Sequence, residues 1–443
     1  MTITRRHFVA GALGTGALAA AGGLTIGRSP IGRLIGTTAS TSATSHSHID
    51  PTKAVLVLVT MYGGNDGLNM VVPASDGTYR GLRGPLALPE DKVLALDGGL
   101  SLHPSLTGTK KLWDDKLLAI VRGVGYPNPI RSHFRSMDIW QTGVPDASSD
   151  TGWLGRWLDA TGKDPLRAMS TTPTLPLLLL GQKASGAALL PGTTGVPAQG
   201  AAADAYRALF TPTGDDSLVG RVDEVGTDLL TVSATLDKAL ASTPSLAPDN
   251  AGRASLDNGA ADGTARAKGA KPANPAKGAK NAKAAGSLAG QMDTVARLIR
   301  AGVPTRVYST TLGGFDTHAN ELDTQSRLLS ELDAGLTGLF AGLGDDPRAD
   351  QVVVVAYSEF GRRVAANGSG GTDHGTAAPV LVAGHSVRAG FHGEEPSLTD
   401  LDDGDLKANI DFRSIYGTLL AKLLGVDPAV SLGANHPSLL SFV

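Results

Sequence analysis

The feature that most constrains the fold is a series of short, continuous apolar runs. Residues 352–356 are four consecutive valines and an alanine, and residues 54–59 are all aliphatic. These runs lack the polar–apolar alternation of a strand with one wet face, so they are typical of parallel strands that are buried on both faces. Further strands are predicted at 117–121, 175–180, 303–310 and 380–383.

The segments between these runs have a helical period. Over residues 319–343, leucines recur at spacings of three, four or seven, which predicts an amphipathic helix. Further helices are predicted at 106–113, 132–141, 229–241, 289–301 and 411–424. Strands that alternate with helices predict an α/β fold, a doubly wound and mostly parallel sheet with helices on both faces. In such a sheet, ligands bind at the carboxyl ends of the strands.

The N-terminus resembles a twin-arginine signal. Arg5 and Arg6 precede an uncharged, Ala/Gly/Leu-rich run at 9–27, which is too short and too rich in glycine for a membrane span. Residues 1–47 are therefore predicted to be a signal peptide and linker. The twin-arginine export machinery is a predicted partner, and the mature protein is expected to be periplasmic, in the cell envelope or extracellular, without a stable membrane span.

Composition separates one stretch from the rest of the chain. Residues 48–443 are predicted to form a single domain, but 242–286 is dominated by Ala, Gly, Lys, Pro and Asn, so we expect a disordered insertion there. The 39 Lys and Arg nearly balance the 42 Asp and Glu, which gives no reason to expect a nucleic-acid partner. The chain has no cysteine, which excludes disulfides, cysteine-ligated zinc and a cysteine nucleophile.

Acidic and imidazole side chains follow several of the predicted strands. Carboxylates and imidazoles in such positions suit zinc, manganese or iron. We therefore predict one or two divalent ions, zinc first, with manganese, calcium or iron as alternatives. The candidate ligands are Asp66, Asp316, His318, Glu359, Asp373 and His374.

Other interpretations of these residues stay open at this stage. Asp66 stands in an Asn-Asp-Gly sequence that also suits a tight turn. Asp316 could cap the following helix while His318 bonds a carbonyl, and Glu359 could be an ordinary surface glutamate. Asp373 could be a ligand, or the acceptor that fixes the tautomer of the His374 ring.

Four residues are candidates for catalysis. Ser132 lies where a loop becomes a helix, so the helix N-terminus could stabilise an anion bound beside its hydroxyl, although the residue could simply be an N-cap. Ser136 is a second candidate hydroxyl. His133 could belong to the site or pack locally. Arg362 could clamp an anionic group, although a salt bridge is the commoner role of an arginine.

Taken in order, these motifs resemble a known family. They are the twin-arginine leader, Gly-Gly-Asn-Asp-Gly at 63–67, Arg-Ser-His-Phe at 131–134, Gly-Phe-Asp-Thr-His at 314–318, Ser-Glu-Phe-Gly-Arg at 358–362 and Gly-Thr-Asp-His-Gly at 371–375. The series is similar to exported bacterial proteins with domain of unknown function 1501, grouped with the alkaline phosphatase and sulfatase superfamily.

The resemblance implies a phosphatase-like sheet and metal-dependent hydrolysis of phosphate or sulfate esters, with a small-molecule or glycan ester as substrate. The superfamily's usual Asp-His after the late strand is here Ser358-Glu359. For that reason the alternative is a catalytically inactive exported binding protein that retains the fold.

Overall fold

The computed structural model describes residues 49–189, 200–210, 217–245 and 286–443. The predicted signal and linker at 1–47, and most of the predicted insertion at 242–286, lie outside the described residues. Within the described ranges, no helix is both long enough and apolar enough to cross a membrane.

The strands form one large sheet and three small ones. The large sheet has nine strands, in the order β13-β5-β12-β9-β1-β8-β6-β7, and β16 also pairs with β5. The strands are β1 Val55–Tyr62, β2 Val71–Val72, β3 Leu94–Ala95, β4 Ser101–Leu102, β5 Leu118–Gly125, β6 Ala168–Ser170, β7 Ala187–Ala188, β8 Val307–Gly313, β9 Val352–Ser358, β10 Arg362–Ala366, β11 Thr372–His374, β12 Ala378–Ala383, β13 Gly390–His392, β14 Leu401–Asp402, β15 Asp405–Leu406 and β16 Ile410–Asp411.

Among the described strands of the large sheet, only β12 runs antiparallel to its neighbours, β5 and β9. The other pairs are parallel. The predicted α/β class with a mostly parallel sheet is confirmed.

Helices cover both faces of this sheet. They are α1 Gly77–Arg83, α2 Thr107–Asp114, α3 His133–Thr142, α4 Trp153–Thr161, α5 Ala201–Ala208, α6 Leu218–Ser242, α7 Leu288–Arg300, α8 Glu321–Leu343, α9 Phe412–Lys422 and α10 Ala429–Leu432. Alternate residues of β1 point to opposite sides: Val57 and Val59 pack in the core with α2, α6, α7 and α8, whereas Leu56 and Leu58 pack in the core with α3, α4 and α9. The strand β1 is therefore buried on both faces, as its continuous apolar sequence predicted.

The strand predicted at 175–180 is wrong. Residues Leu177–Leu179 form a short 3-10 helix that Pro176 precedes. A proline has no amide hydrogen to give to a sheet, and the turn still buries Leu178 and Leu179 in the core beside α4.

The sheet brings three loops to one edge. Strands β9, β1 and β8 are parallel neighbours, with Met61 opposite Ser358 and Tyr62 opposite Gly313. Their carboxyl ends therefore lie side by side, as the parallel arrangement predicts. The hairpin β10–β11 follows β9 and places His374 opposite Arg362, near the same edge.

Candidate metal centre

Three imidazole rings surround one carboxylate oxygen at this edge. The Nε2 atoms of His318 and His374 each lie 3.1 Å from Oδ1 of Asp316. The Nε2 atom of His133 lies 3.4 Å from the same oxygen. The sequence signals predicted Asp316, His318 and His374 as ligands, and the structure brings these three together. It adds His133, which we predicted as a catalytic residue.

An acceptor on the far side of each ring fixes the ring's orientation. The Nδ1 atom of His133 lies 2.8 Å from Oε1 of Glu359, and that of His374 lies 2.8 Å from the carbonyl oxygen of Arg131. The Nδ1 atom of His318 lies 3.2 Å from Oδ1 of Asp373. Because carboxylates and carbonyls only accept, each Nδ1 carries the proton. The lone pair of each neutral ring is therefore on Nε2, the atom that faces Asp316.

Lone pairs that face each other at such short distances repel, so a cation or a proton is needed between these atoms. His318 Nε2 and His374 Nε2 are 2.9 Å apart. Among the described residues, the buried Nε2 of His133 has no hydrogen-bond partner. The ligand atoms of His133, Asp316 and His374 all lie within 4.8 Å of one another.

These residues fit a zinc ion. Donors at about 2.0–2.1 Å from a tetrahedral zinc lie about 3.3 Å apart. Four of the six separations between these donor atoms, 2.9, 3.1, 3.1 and 3.4 Å, are close to that value. Imidazole nitrogen with carboxylate oxygen is also a donor set that zinc accepts.

Arg362 holds the loops around Asp316 in place. The guanidinium is fully buried and lies 2.9 Å from Oδ1 of Asp316. It also donates to four backbone carbonyls, those of Gly63, Gly64, Phe315 and Thr372. These carbonyls belong to the segments that follow β1 and β8 and to β11. The side chain that we predicted to clamp an anion is thus fully engaged by protein groups.

Charge at Asp316 is maintained by its neighbours. Burial alone would favour the neutral acid, but the hydrogen bond from the Arg362 guanidinium and its positive charge hold the pKa of Asp316 below its ordinary value. The carboxylate is therefore ionised at neutral pH. Its side chain is half exposed, so the centre opens to solvent.

Glu359 lies behind His133 rather than beside the other Nε2 atoms. Its Oε1 accepts from the Gly63 amide at 2.9 Å as well as from His133, and its Oε2 accepts from the Ser358 hydroxyl at 2.9 Å. Burial would raise the pKa of Glu359, yet the hydrogen bonds from His133 and from backbone amides, including that of Gly63, lower the pKa overall. The hydrogen bond from His133 to Glu359 in turn raises the pKa of His133. Glu359, which we predicted as a ligand, lies behind the candidate ligand His133 and accepts its Nδ1 hydrogen.

Asp373 has a similar position behind His318. It also accepts from the Asn367 amide at 3.2 Å, and that bond, together with the one from His318, lowers the pKa of Asp373. We left two roles open for Asp373, a metal ligand or an acceptor that fixes the tautomer of His374. Its position in the structure is that of an acceptor, but the ring that it contacts is His318.

Asp66 does not lie with the other predicted ligands. Both of its oxygens are held by Arg83, at 2.5 and 2.8 Å, and both side chains are fully buried. The nearby acid Glu321 has its Oε1 3.8 Å from Arg83 Nη1 and accepts from the Thr372 hydroxyl at 2.5 Å. Burial and the neighbouring Asp66 carboxylate raise the pKa of Glu321 to about 9. Asp66 therefore belongs to a buried ion-pair network and is not among the candidate ligands.

Ser132 precedes α3 at the rim of the centre. It follows Arg131, whose carbonyl binds His374, and it precedes His133. In this described part of the chain its hydroxyl makes no capping hydrogen bond to the helix. Ser136 is different, because its hydroxyl is buried and contacts Tyr126 at 2.8 Å. Of the two candidate hydroxyls, Ser132 is the exposed one.

Sequence reasoning missed two members of this region, Arg83 and Glu321. Arg83 ends the seven-residue helix α1, and Glu321 begins α8. An acid in the first turn of a helix is ordinary, so neither position carried a signal. Their importance comes from burial next to Asp66, which only the tertiary fold creates.

The chain also matches a known family and solved structures. The family model described as "Protein of unknown function (DUF1501)" matches residues 53–434, which confirms the family that the motifs resemble. No curated protein sequence matches the chain.

Two solved structures are similar over most of the chain. The first is a protein in the alkaline phosphatase superfamily from Vibrio parahaemolyticus, with 11% identity over 88% of this chain and 72% of that chain and a TM-score of 0.38. The second is Ps i-CgsB in complex with k-i-k-neocarrahexaose, with 12% identity over 86% of this chain and 74% of that chain and a TM-score of 0.38. TM-scores below 0.5 assign neither an activity nor a substrate to this chain.

Proposed function

The chain belongs to the DUF1501 family, and we propose that it is a metal-dependent hydrolase of phosphate or sulfate esters. The observation that carries the proposal is the convergence of three imidazole Nε2 atoms on Asp316, with each Nδ1 held by an acceptor. His133, His318, His374 and Asp316 would hold the ion. Zinc is the first candidate, and manganese, calcium or iron are alternatives.

A bound metal would act as a Lewis acid toward an ester oxygen and would lower the pKa of a water molecule bound to it. The protein's own residues hold the candidate ligands in position. Glu359 orients the His133 ring, and Asp373 orients the His318 ring. The buried guanidinium of Arg362 holds the Asp316 carboxylate in place. The half-exposed carboxylate leaves one side of the centre accessible to a substrate.

Ser132 is the proposed nucleophile. Its exposed side chain lies at the N-terminus of the ten-residue helix α3, directly before His133. Backbone amides at a helix N-terminus favour an anion such as a phosphoryl or sulfuryl group. As the oxygen attacks, the bond from phosphorus or sulfur to the alcohol oxygen would break and the alcohol would leave, and the hydroxyl proton would pass to the half-exposed carboxylate of Asp316.

The proposed setting is outside the cytoplasm. Arg5 and Arg6 before an apolar run support export by the twin-arginine route. A small-molecule or glycan ester is then the proposed substrate.

A second candidate function is a metal-binding protein without catalysis. Three imidazoles and one carboxylate can fill all four positions of a tetrahedral zinc, and closed sites of that kind are structural. Catalytic zinc sites have three protein ligands and one open position. His318, with 45% of its side chain exposed, is the ligand whose release would open the site.

A substrate panel decides between the two. Zinc-loaded protein is assayed with an aryl phosphate, an aryl phosphodiester and an aryl sulfate, next to Ser132→Ala, His374→Ala and the control His385→Ala, whose exposed ring pairs with Asp350 away from the centre. The hydrolase proposal expects turnover that His374→Ala abolishes and His385→Ala retains. If Ser132→Ala still turns over the ester, the proposal of a metal centre stands and Ser132 is not the nucleophile. Stoichiometric zinc without turnover of any ester would support the second function.

A further inference from the structure

A cavity adjoins the proposed metal centre. It has a volume of about 310 Å³ and lies between the loop before α3 and the hairpin β14–β15. Phe360 forms one of its walls. The same ring packs against His133 and His374, with ring centroids 4.8 and 5.0 Å apart. The cavity and two candidate ligands thus lie against the same aromatic ring.

The cavity and the centre share a framework. The carbonyl of Arg131 accepts from His374, while the guanidinium of Arg131 binds Asp405 at 2.8 Å. Asp405 lies in the hairpin whose residues line the cavity. A ligand in the cavity would therefore contact the elements that position His374.

The lining combines apolar faces with polar groups. Tyr126, Phe360, Pro127 and Pro129 supply flat or rigid apolar surface, and Asn128 supplies an exposed amide at the rim. Sugar rings present a C–H face and a periphery of hydroxyls. Aromatic and proline surfaces with a few hydrogen-bonding groups at the edge match that pattern.

Charge at the rim argues against an anion in this cavity. Its lining has one amine, Lys407, and one carboxylate, Asp402. Lys407 is already paired with Asp400, 2.5 Å away. Because the described residues that line the cavity carry no excess positive charge, we place the phosphate or sulfate at the metal centre, and the cavity suits a neutral group.

We infer that this cavity binds a neutral sugar ring, the alcohol part of the ester that is cleaved at the metal centre. The volume is at the lower end of the range for small-molecule sites, about 300–1,000 Å³, which suits a single ring. The inference rests on the proposed function for the role of the sugar, but binding itself requires no metal.

The test measures binding in the absence of metal, so that its outcome is independent of hydrolysis. Chelator-treated full-length protein is mixed with methyl glycosides of glucose, galactose and mannose, and with phenol, and saturation transfer from protein to ligand is recorded by NMR. Ala408→Trp places a large side chain in the cavity. Its control is Ala341→Trp, on an exposed position near the far end of α8.

We expect transfer to at least one glycoside, its loss in Ala408→Trp and its retention in Ala341→Trp. Asn128→Gly is the second variant, because residue 128 has a φ of 53° that glycine adopts without strain. Removing its amide should weaken glycoside binding by about tenfold in Kd. Transfer to phenol alone, no transfer to any glycoside, or equal transfer in wild type and Ala408→Trp would overturn the inference. If glycosides bind but no ester is hydrolysed, the proposed function fails and the sugar site stands.

Discussion

His318 Nε2 lies 2.9 Å from His374 Nε2, and each of these atoms lies 3.1 Å from the same oxygen of Asp316. Both rings have their Nδ1 hydrogen directed at an acceptor, so both Nε2 atoms present lone pairs. Lone pairs at this separation repel unless a cation lies among them. The relationship supports the proposed metal centre more directly than any single motif does.

Replacing Glu359 tests the support behind the ligands. Glu359→Gln keeps the volume but replaces the ionised acceptor of the His133 Nδ1 hydrogen with a neutral amide. Zinc affinity should fall about 10- to 100-fold, as it does when comparable outer partners of metal ligands are changed. Isothermal titration gives the dissociation constant. Asp373→Asn is the comparison, and its effect should be smaller because Asp373 is more than half exposed. Equal zinc affinity in Glu359→Gln and wild type would refute the role of Glu359.

Replacing Asp66 distinguishes a structural acid from a ligand. Asp66→Ala leaves Arg83 buried without its bidentate partner, and breaking a buried ion pair destabilises a protein by about 3–5 kcal/mol. Urea unfolding measures the loss. Asp91→Ala is the surface control, because Asp91 is 74% exposed and its pair with Lys92 contributes at most about 1 kcal/mol. Zinc stoichiometry of folded Asp66→Ala should equal that of wild type. Normal stability with loss of zinc would restore Asp66 as a ligand.

Replacing Glu321 gives a pH-dependent result. Its pKa in the folded protein is raised to about 9 from an ordinary value of 4.5. The stability that depends on the neutral acid is therefore fully present below pH 4.5 and is lost as the pH rises toward about 9. Glutamine resembles the neutral acid and cannot ionise. The free energy of unfolding of Glu321→Gln, relative to wild type, should therefore rise across this pH window.

Chemical unfolding at pH values between 5 and 9 measures this difference. Asp323→Asn, at an exposed position in the same first turn of α8, should run parallel to wild type over that range. A constant difference between Glu321→Gln and wild type at every pH would contradict a proton held on Glu321.

Much of the fold follows from local patterns. The valine run at 352–356 and the aliphatic run at 54–59 predicted two buried strands, and both exist; their pairing as neighbours was not predicted. The run at 175–180 was interpreted as a strand because apolarity alone does not distinguish a strand from a buried turn. Pro176 was the signal against it.

The centre was predictable in location more than in detail. Asp316 follows β8, and a loop at a parallel strand end is a general position for a site. Distinguishing Glu359, which orients His133, from a direct ligand requires knowing that His133 folds over the end of β9. That contact joins residues 226 positions apart, and no local spacing reports it.

The partner of Asp66 was equally hidden. Arg83 lies only 17 residues away, but nothing in the sequence indicates that the end of α1 turns inward. A buried arginine satisfies the acid that the turn at 63–67 presents. An acidic residue that follows a strand can therefore either be a candidate metal ligand, like Asp316, or form a buried ion pair, like Asp66. Only tertiary contacts distinguish the two roles.

Zinc titration of chelator-treated protein tests the central claim most directly. The centre predicts stoichiometric zinc in wild type, retained in His385→Ala and lost in His133→Ala and His374→Ala, while the metal-free variants unfold at the same urea concentration as metal-free wild type. Absence of zinc binding in the wild type, or unchanged stoichiometry in both His133→Ala and His374→Ala, would contradict it.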